Sequence, residues 1–556
     1  MKIASEDKAP LLMLTALAVA FYWYGIDWGL PHKLTGELAV SAGGIDWAPD
    51  SLAPLAPLAY AKRLAYGEPW IHKYPPLHFF VLAVAYAPYF LYLSLFGGLE
   101  KIYDLYPYGF IDPEWTLTIF TLIARSVSAV MGIGLIITNY YIAKRIYEDW
   151  KAGFITGILL LGAFPLVHYS HQANIDIPHL LWTSLALLAL VNLTQAFETK
   201  YYIMLGIFTA LAFLTKESIY ALFIGLVASL MVVQIQYNNK SLKTTWPAVL
   251  WKSVWNKSNL IGLSLFFIVL IIFFNPLLNY EGIVEHITLH THRSLRGNVF
   301  IREASGTIGG DLNLLRDYLY FMSQINGKII FALITVGVVY CLIRWPMKVL
   351  VFVPAMVTYY LFFLRVHGTH HLRYVLPLYL LLTWHGGKFL ADLTSLRSIS
   401  GKIATVVIVL MSVASLTYGF SVNILYKNDP RYDAERWIAT YIDSDKVVVG
   451  ISPEYSLPRF PGDKKLKIKR IWDYNGEQID DIVGLDAEYI VMSMSIPRRR
   501  EQRGKVEEFL KARGYAEVIT FKADPPAWVP RIEDLHAVYP EIVILRRTNT
   551  KAEQHG

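Results

Sequence analysis

Four stretches of this chain gather residue types able to move protons or hold phosphate. The first contains Trp47-Ala-Pro-Asp50. Asp50 immediately precedes an apolar/polar helical pattern that runs through Tyr60 to Leu64, so two uses compete for its carboxylate. It can cap that helix, where free backbone N–H groups stabilise an acid, or it can serve as general base toward an acceptor hydroxyl. Asp46 is the weaker candidate, since no element begins at it. The second stretch is His72-Lys73-Tyr-Pro-Pro-Leu77. Its proline pair sets an extended turn, leaving Lys73 either to hold a lipid phosphate or to snorkel as an anchor. His72 simply faces water.

The third stretch runs from His168 through His171 and Asn174 to Asp176 and Pro178. Pro178 suits the first turn of a helix, with Asp176 near the cap. Capping is the bland use of that acid. A carboxylate at the mouth of a bundle is costly near lipid, which favours a functional one. The fourth group joins Glu285, His286, His290, His292, Arg293 and Arg296 with Arg365, His367, His370, His371, Arg373 and Tyr374. His286 and His290 share a face if helical, as zinc ligands often do. Without a His-Glu-x-x-His motif or a cysteine partner, phosphate contact by the arginines is the better reading. A solvated headgroup-facing patch is the alternative. Zn, Mg or Mn stays open as a cofactor and none is required.

These residues need a scaffold, and composition says which kind. The 556 residues are 54% hydrophobic and 17% charged, against about a quarter charged in soluble domains. Disordered and coiled-coil chains are excluded as well. Cys341 is the single cysteine, which rules out an internal disulfide. The net charge of +7 fits basic cytoplasmic loops better than nucleic acid. Apolar stretches read as membrane spans, two of them short, occur at 10–30, 116–142, 152–168, 177–197, 201–215, 217–236, 258–279, 328–344, 348–365, 373–390 and 402–424, eleven in all.

A further apolar stretch, 77–95, decides the topology. If it lies in the outer leaflet without crossing, Lys144, Arg145, Lys151, Lys200, Arg344, Lys348 and Lys388 all fall on the cytoplasmic side, as the positive-inside rule requires. If it crosses, that bias reverses. The expectation is therefore an α-helical polytopic membrane protein, N-terminus inside, with loops 29–115 and 280–327 on the extracytoplasmic face. Residues 1–427 form the transmembrane domain. The tail, 428–556, alternates helical and β-branched segments (helices at Tyr432–Tyr441 and Arg503–Gly514, strands near Val447–Ile451, Ile490–Met492 and Ile542–Leu545) and reads as a small α/β domain.

In that setting the motifs resemble the GT-C superfamily of integral-membrane glycosyltransferases, most closely the protein O-mannosyltransferase and lipid A aminoarabinose transferase branch. Trp47-Ala-Pro-Asp50 resembles the family's first-loop acidic motif, and Lys73-Tyr-Pro-Pro-Leu77 its Lys/His-Pro-Pro-Leu stretch. Asn174-Ile-Asp176-Ile-Pro178, Leu211-Ala-Phe-Leu-Thr-Lys216 and Arg373-Tyr-Val-Leu-Pro377 resemble three later signatures, in order. The resemblance implies a GT-C fold, a sugar donor on undecaprenyl or dolichyl phosphate, and an acceptor on protein, lipid or glycan. By the same resemblance Asp50 is the base, Asp176 orients the acceptor, and Lys73, Lys216, Arg293, Arg296, Arg373 and Tyr374 serve the donor phosphate. Ser51 stands where the family usually has Glu, which puts that residue's role in doubt here. A flippase for the same lipids, or a non-catalytic assembly protein working through its tail, are the competing readings. No Gly-x-x-x-x-Gly-Lys-Ser/Thr loop supports ATP-driven transport.

Overall fold

The computed structural model of the protein describes residues 4–31, 46–48, 51–66, 74–101, 108–241, 251, 255–295, 307–367, 371–396, 398–451, 454–461, 466–471, 487–493, 508–530 and 538–548. Asp50, His72, Lys73 and Arg296 lie outside them, as do the side chains of His290, His292, Arg293 and His367.

Most of the chain is helical. Among the described residues, seven helices are long and apolar enough to cross a membrane, or nine if two bent pairs each count as one span. Leu77–Leu95 belongs to that set with the bounds the hydropathy predicts. Three expected spans form helices but fall outside it. Ser5–Trp23 opens on Glu6, Asp7 and Lys8; Thr199–Thr215 has only 17 residues; Leu376–Thr394 is diluted by Thr383, His385, Lys388 and Asp392. Thr199–Thr215 gives way after Lys216 to a single 3-10 turn, Glu217–Ile219, and then Tyr220–Ser241.

Both bends have local causes. Trp150–Leu161 and Phe164–Ser170 meet at 65°, where Pro165 starts the second helix and Ala163 is extended. Ile308–Ile325 and Lys328–Arg344 meet at 111°. Gly327 sits between them at φ +86°, a conformation that costs glycine least.

The chain divides into two compact units, one of Met1–Tyr24, Pro57–Ala83 and Val127–Phe420, the other of Gly25–Ala56, Val84–Ser126 and Ser421–Gly556. Within the first, helices approach through glycine. A Cβ on Gly206 would stand 2.1 Å from the carbonyl oxygen of Gly262, and one on Gly337 would stand 2.7 Å from the Cα of Gly386. Small residues at crossings let backbones pack closely where lipid supplies no hydrophobic drive. In Lys257–Phe274 Gly262 is the one buried residue, and an exposed apolar stripe that includes Leu263, Phe267, Ile268, Ile271 and Ile272 faces outward.

The second unit carries a five-stranded sheet in the order β2-β1-β3-β5-β4. The strands are β1 Val447–Ile451, β2 Lys467–Ile471, β3 Tyr489–Ser493, β4 Tyr515–Phe521 and β5 Ile542–Arg547. β1 pairs in parallel with β2 and β3, while β5 runs antiparallel to both β3 and β4. Period-two alternation splits the strands between two cores. Val448, Val491 and Ile544 pack with Ala434 and Ile438 of the helix Pro430–Tyr441, whereas Val449, Ile490 and Leu545 pack with Leu510. The α/β tail is thus as expected, with two strands, Lys467–Ile471 and Tyr515–Phe521, that the β-branched runs had not marked. Of the predicted Arg503–Gly514 helix, 508–512 is helical and 503–507 lies outside the described residues.

Candidate active site

In the first unit the turn after Phe164–Ser170 is built from side-chain to backbone bonds. His171 has both ring nitrogens against carbonyls, Val167 O at 2.7 Å and Tyr24 O at 3.0 Å, so it braces the turn. Gln172 Nε2 lies 2.8 Å from His168 Nε2. Asn174 donates to Gln172 Oε1 at 3.2 Å and accepts the Asp176 N–H at 3.1 Å. The first turn of Asp176–Gln195 is served by Asn174, which leaves the Asp176 carboxylate for other partners.

Those partners are cations. Lys216 Nζ donates to Asp176 Oδ1 at 2.5 Å, and Arg373 stands 3.8 Å from Oδ2. Lys216 reaches the acid because it is the extended residue ending Thr199–Thr215. Arg373 sits on the 3-10 turn Leu372–Val375, just before the helix that Pro377 initiates. Asp176 and Lys216 are both buried. The ring of Tyr374 lies under both cations, 5.4 Å from the Lys216 ammonium and 5.6 Å from the Arg373 guanidinium. Tyr359 holds that segment by donating to the Tyr374 carbonyl at 3.0 Å. Two cations thus meet at one carboxylate, and guanidinium and ammonium are the groups that bind phosphate oxygens.

Other members of the sequence-derived set stand elsewhere. His286 is buried, with Nε2 3.7 Å from Glu217. Arg365 makes a two-pronged bond to Asp311 at 2.9 and 3.0 Å, so its guanidinium already has an acid. Among the described residues no three His, Cys, Asp or Glu side chains converge to hold a metal.

The second unit has a group the sequence reading passed over. Asp46, set aside as the weaker acid, is buried and accepts from the fully buried Arg125 at 2.8 Å. Arg125 also donates to the carbonyls of Ile26 and Trp28, at 2.7 and 2.6 Å. The signal available was Arg125 itself, a lone cation in the apolar run 116–142, where a charge needs a partner. Beside Asp46, the Trp47 indole has two guanidiniums over its ring, Arg431 at 4.1 Å and Arg459 at 5.1 Å. Asp429 accepts from both Arg431 and the Trp28 indole, and Glu435 holds Arg459 at 2.6 and 2.8 Å.

A family model described as dolichyl-phosphate-mannose-protein mannosyltransferase matches residues 113–277, a span that contains Arg125, Asp176 and Lys216. This bears out the resemblance to the GT-C superfamily of glycosyltransferases. No curated protein matches the chain. Among solved structures, ArnT from Cupriavidus metallidurans bound to undecaprenyl phosphate is 14% identical over 98% of this chain and 99% of its own, with a TM-score of 0.46. The Saccharomyces cerevisiae Pmt1-Pmt2 complex bound to its sugar donor is 16% identical over 50% of this chain and 34% of that one, at 0.35. AglB from Archaeoglobus fulgidus, in complex with an inhibitory peptide and a dolichol-phosphate, is 12% identical over 92% and 72%, at 0.43.

Proposed function

We propose that this chain is an inverting glycosyltransferase that moves a hexose or pentose from a polyprenyl-phosphate carrier to an acceptor hydroxyl on the extracytoplasmic face of the plasma (inner) membrane. The observation that carries the reading is the Asp176–Lys216–Arg373 group, in which an ammonium and a guanidinium are gathered at one buried carboxylate. A desolvated cationic group is strongest where charge develops during reaction, and here that charge is the departing lipid phosphate. The family matched over 113–277 is described by the same donor class, a dolichyl-phosphate sugar.

In this reaction Asp50 takes the proton of the acceptor hydroxyl as its oxygen attacks the anomeric carbon. The bond from that carbon to the phosphate oxygen breaks on the opposite side, so the configuration inverts. Lys73, Lys216 and Arg373, with Arg293 and Arg296, receive the negative charge of the released polyprenyl phosphate, and Tyr374 orients two of them. Asp176 holds Lys216 and orients the acceptor. His72, Asn174, His286 and His290 are the candidate contacts to the acceptor or to a metal. The chain is placed with residues 1–427 as the membrane domain, the N-terminus in the cytoplasm, and the tail outside.

The test is release of free polyprenyl phosphate from synthetic polyprenyl-phosphate sugars by purified wild type, Asp50→Asn and Lys73→Ala. Release by the wild type, lost in Asp50→Asn while donor still binds, supports the transferase. A panel of donors that is never turned over, with labelled lipid moved between leaflets instead, makes the protein a flippase.

A further inference from the structure

The carboxylate of Asp46 touches the chain on both sides of Pro49 and Asp50. Its Oδ1 accepts the N–H of Ala48 at 3.1 Å, and its Oδ2 accepts the hydroxyl of Ser51 at 2.9 Å. The N–H of Ser51 in turn donates to the carbonyl of Ala48 at 3.1 Å. Ala48 and Ser51 are therefore tied to one another and to one carboxylate, and the interval between them is two residues long.

That carboxylate is itself fixed. Arg125 NH2 holds Oδ2 at 2.8 Å, and its NH1 is held by the carbonyls of Ile26 and Trp28. Asp46 and Arg125 are both buried. Such a pair keeps its geometry because neither charge tolerates separation in a dry site. Trp47 adds a second fixation one residue on. Its N–H donates to the carbonyl of Gly29 at 3.0 Å, and Arg431 and Arg459 lie over its ring. Gly29 has φ +53°, and a Cβ there would stand 2.5 Å from the Trp47 side chain, so the contact is fitted to glycine.

We infer that Asp46 is a positioning residue for the transfer reaction: through Ala48 and Ser51 it fixes both ends of the interval that carries Asp50. The inference rests on Asp50 as the base. It also accounts for Ser51 standing where the resembling family has a second acid. Asp46 supplies a carboxylate to position 51 from outside it, and the Ser51 hydroxyl is the group that connects to it.

The test uses the full-length purified enzyme with a polyprenyl-phosphate sugar, comparing wild type, Asp46→Asn, Ser51→Ala and Asp50→Asn. Near-ultraviolet dichroism of the tryptophans checks folding. Ser51→Ala leaves the ion pair whole and so reports even where Asp46→Asn misfolds. Misplacing a reacting group by about 1 Å costs on the order of 10²-fold in rate. Asp46→Asn is expected to lower kcat by about that factor and Ser51→Ala by a smaller one. KM for the donor and the acid limb of the pH–rate profile should stay where they are in the wild type. Unchanged kcat in Ser51→Ala and Asp46→Asn overturns the inference, as does a rise in KM at constant kcat. If Asp50→Asn stays active while Asp46→Asn is dead, Asp46 is the base, and the assignment of Asp50 fails with the inference. If Asp50→Asn alone is dead, only the positioning role falls.

Discussion

Lys216 and Asp176 are 40 residues apart in sequence and 2.5 Å apart in space, and neither side chain has much access to water. Each is the other's counter-charge. Asp176→Asn leaves a cation in a dry site with Arg373 as its neighbour. Breaking a buried pair on one side costs about 3–5 kcal/mol, so this variant should unfold at clearly lower temperature. Removing both charges together, Asp176→Asn with Lys216→Met, should recover much of the loss. Thermal unfolding in detergent compares the three.

Arg373 should matter more for the carrier than for the fold. A hydrogen bond to a charged group contributes about 1.5–3 kcal/mol, which predicts a roughly 10- to 100-fold weaker affinity for polyprenyl phosphate in Arg373→Ala. Arg373→Lys keeps the charge without the planar fork and should fall between. Titration of polyprenyl phosphate into the purified protein gives the order directly.

The Gly206–Gly262 crossing tolerates no side chain. A Cβ at 2.1 Å from a backbone oxygen requires the helices to part. Overpacking of this kind costs about 1–3 kcal/mol, and Gly206→Leu should exceed Gly206→Ala. Denaturation midpoints of the two variants check the ranking.

The Trp47 clamp yields a prediction about the tail. Truncating a buried indole costs about 3–5 kcal/mol, so Trp47→Ala should loosen the second unit, visible as earlier tryptophan fluorescence change on heating. Arg459→Gln should do so by less. Burial works against the charge of Arg459, but its bonds to Glu435 prevail and raise its pKa above the ordinary arginine value. A raised folded-state pKa means that its contribution is complete at neutral pH and fades only at extreme alkalinity. Between pH 7 and pH 9 this clamp should show no loss.

Hydropathy marked nearly every helix because a bilayer imposes one length and one polarity on whatever crosses it. The strands Val447–Ile451 and Ile542–Arg547 were legible from β-branched runs. Lys467–Ile471 was not, because alternate lysines and an arginine break its apolar signal. At the site, Asp176, Lys216 and Arg373 each carried a local motif, but nothing in spacing said that they meet. Asp46 had no local signature at all. Its role comes from Arg125, 79 positions later, and such a contact exists only in the fold. The cue was energetic: an arginine in an apolar helix must find an acid.

The helix Lys257–Phe274 has 18 residues and so spans about 27 Å, a little under the roughly 30 Å of a typical hydrocarbon core. One face of it packs on Thr199–Thr215 through Gly262, while Leu263, Phe267, Ile268, Ile271 and Ile272 are exposed on the other and would meet lipid tails. Tilting would shorten its reach further, so a thick bilayer has to pinch inward at this helix or pull its ends below the headgroups. Membrane thickness thereby becomes a variable of the protein's stability, and a sterol-thickened bilayer a harsher host than a thin one.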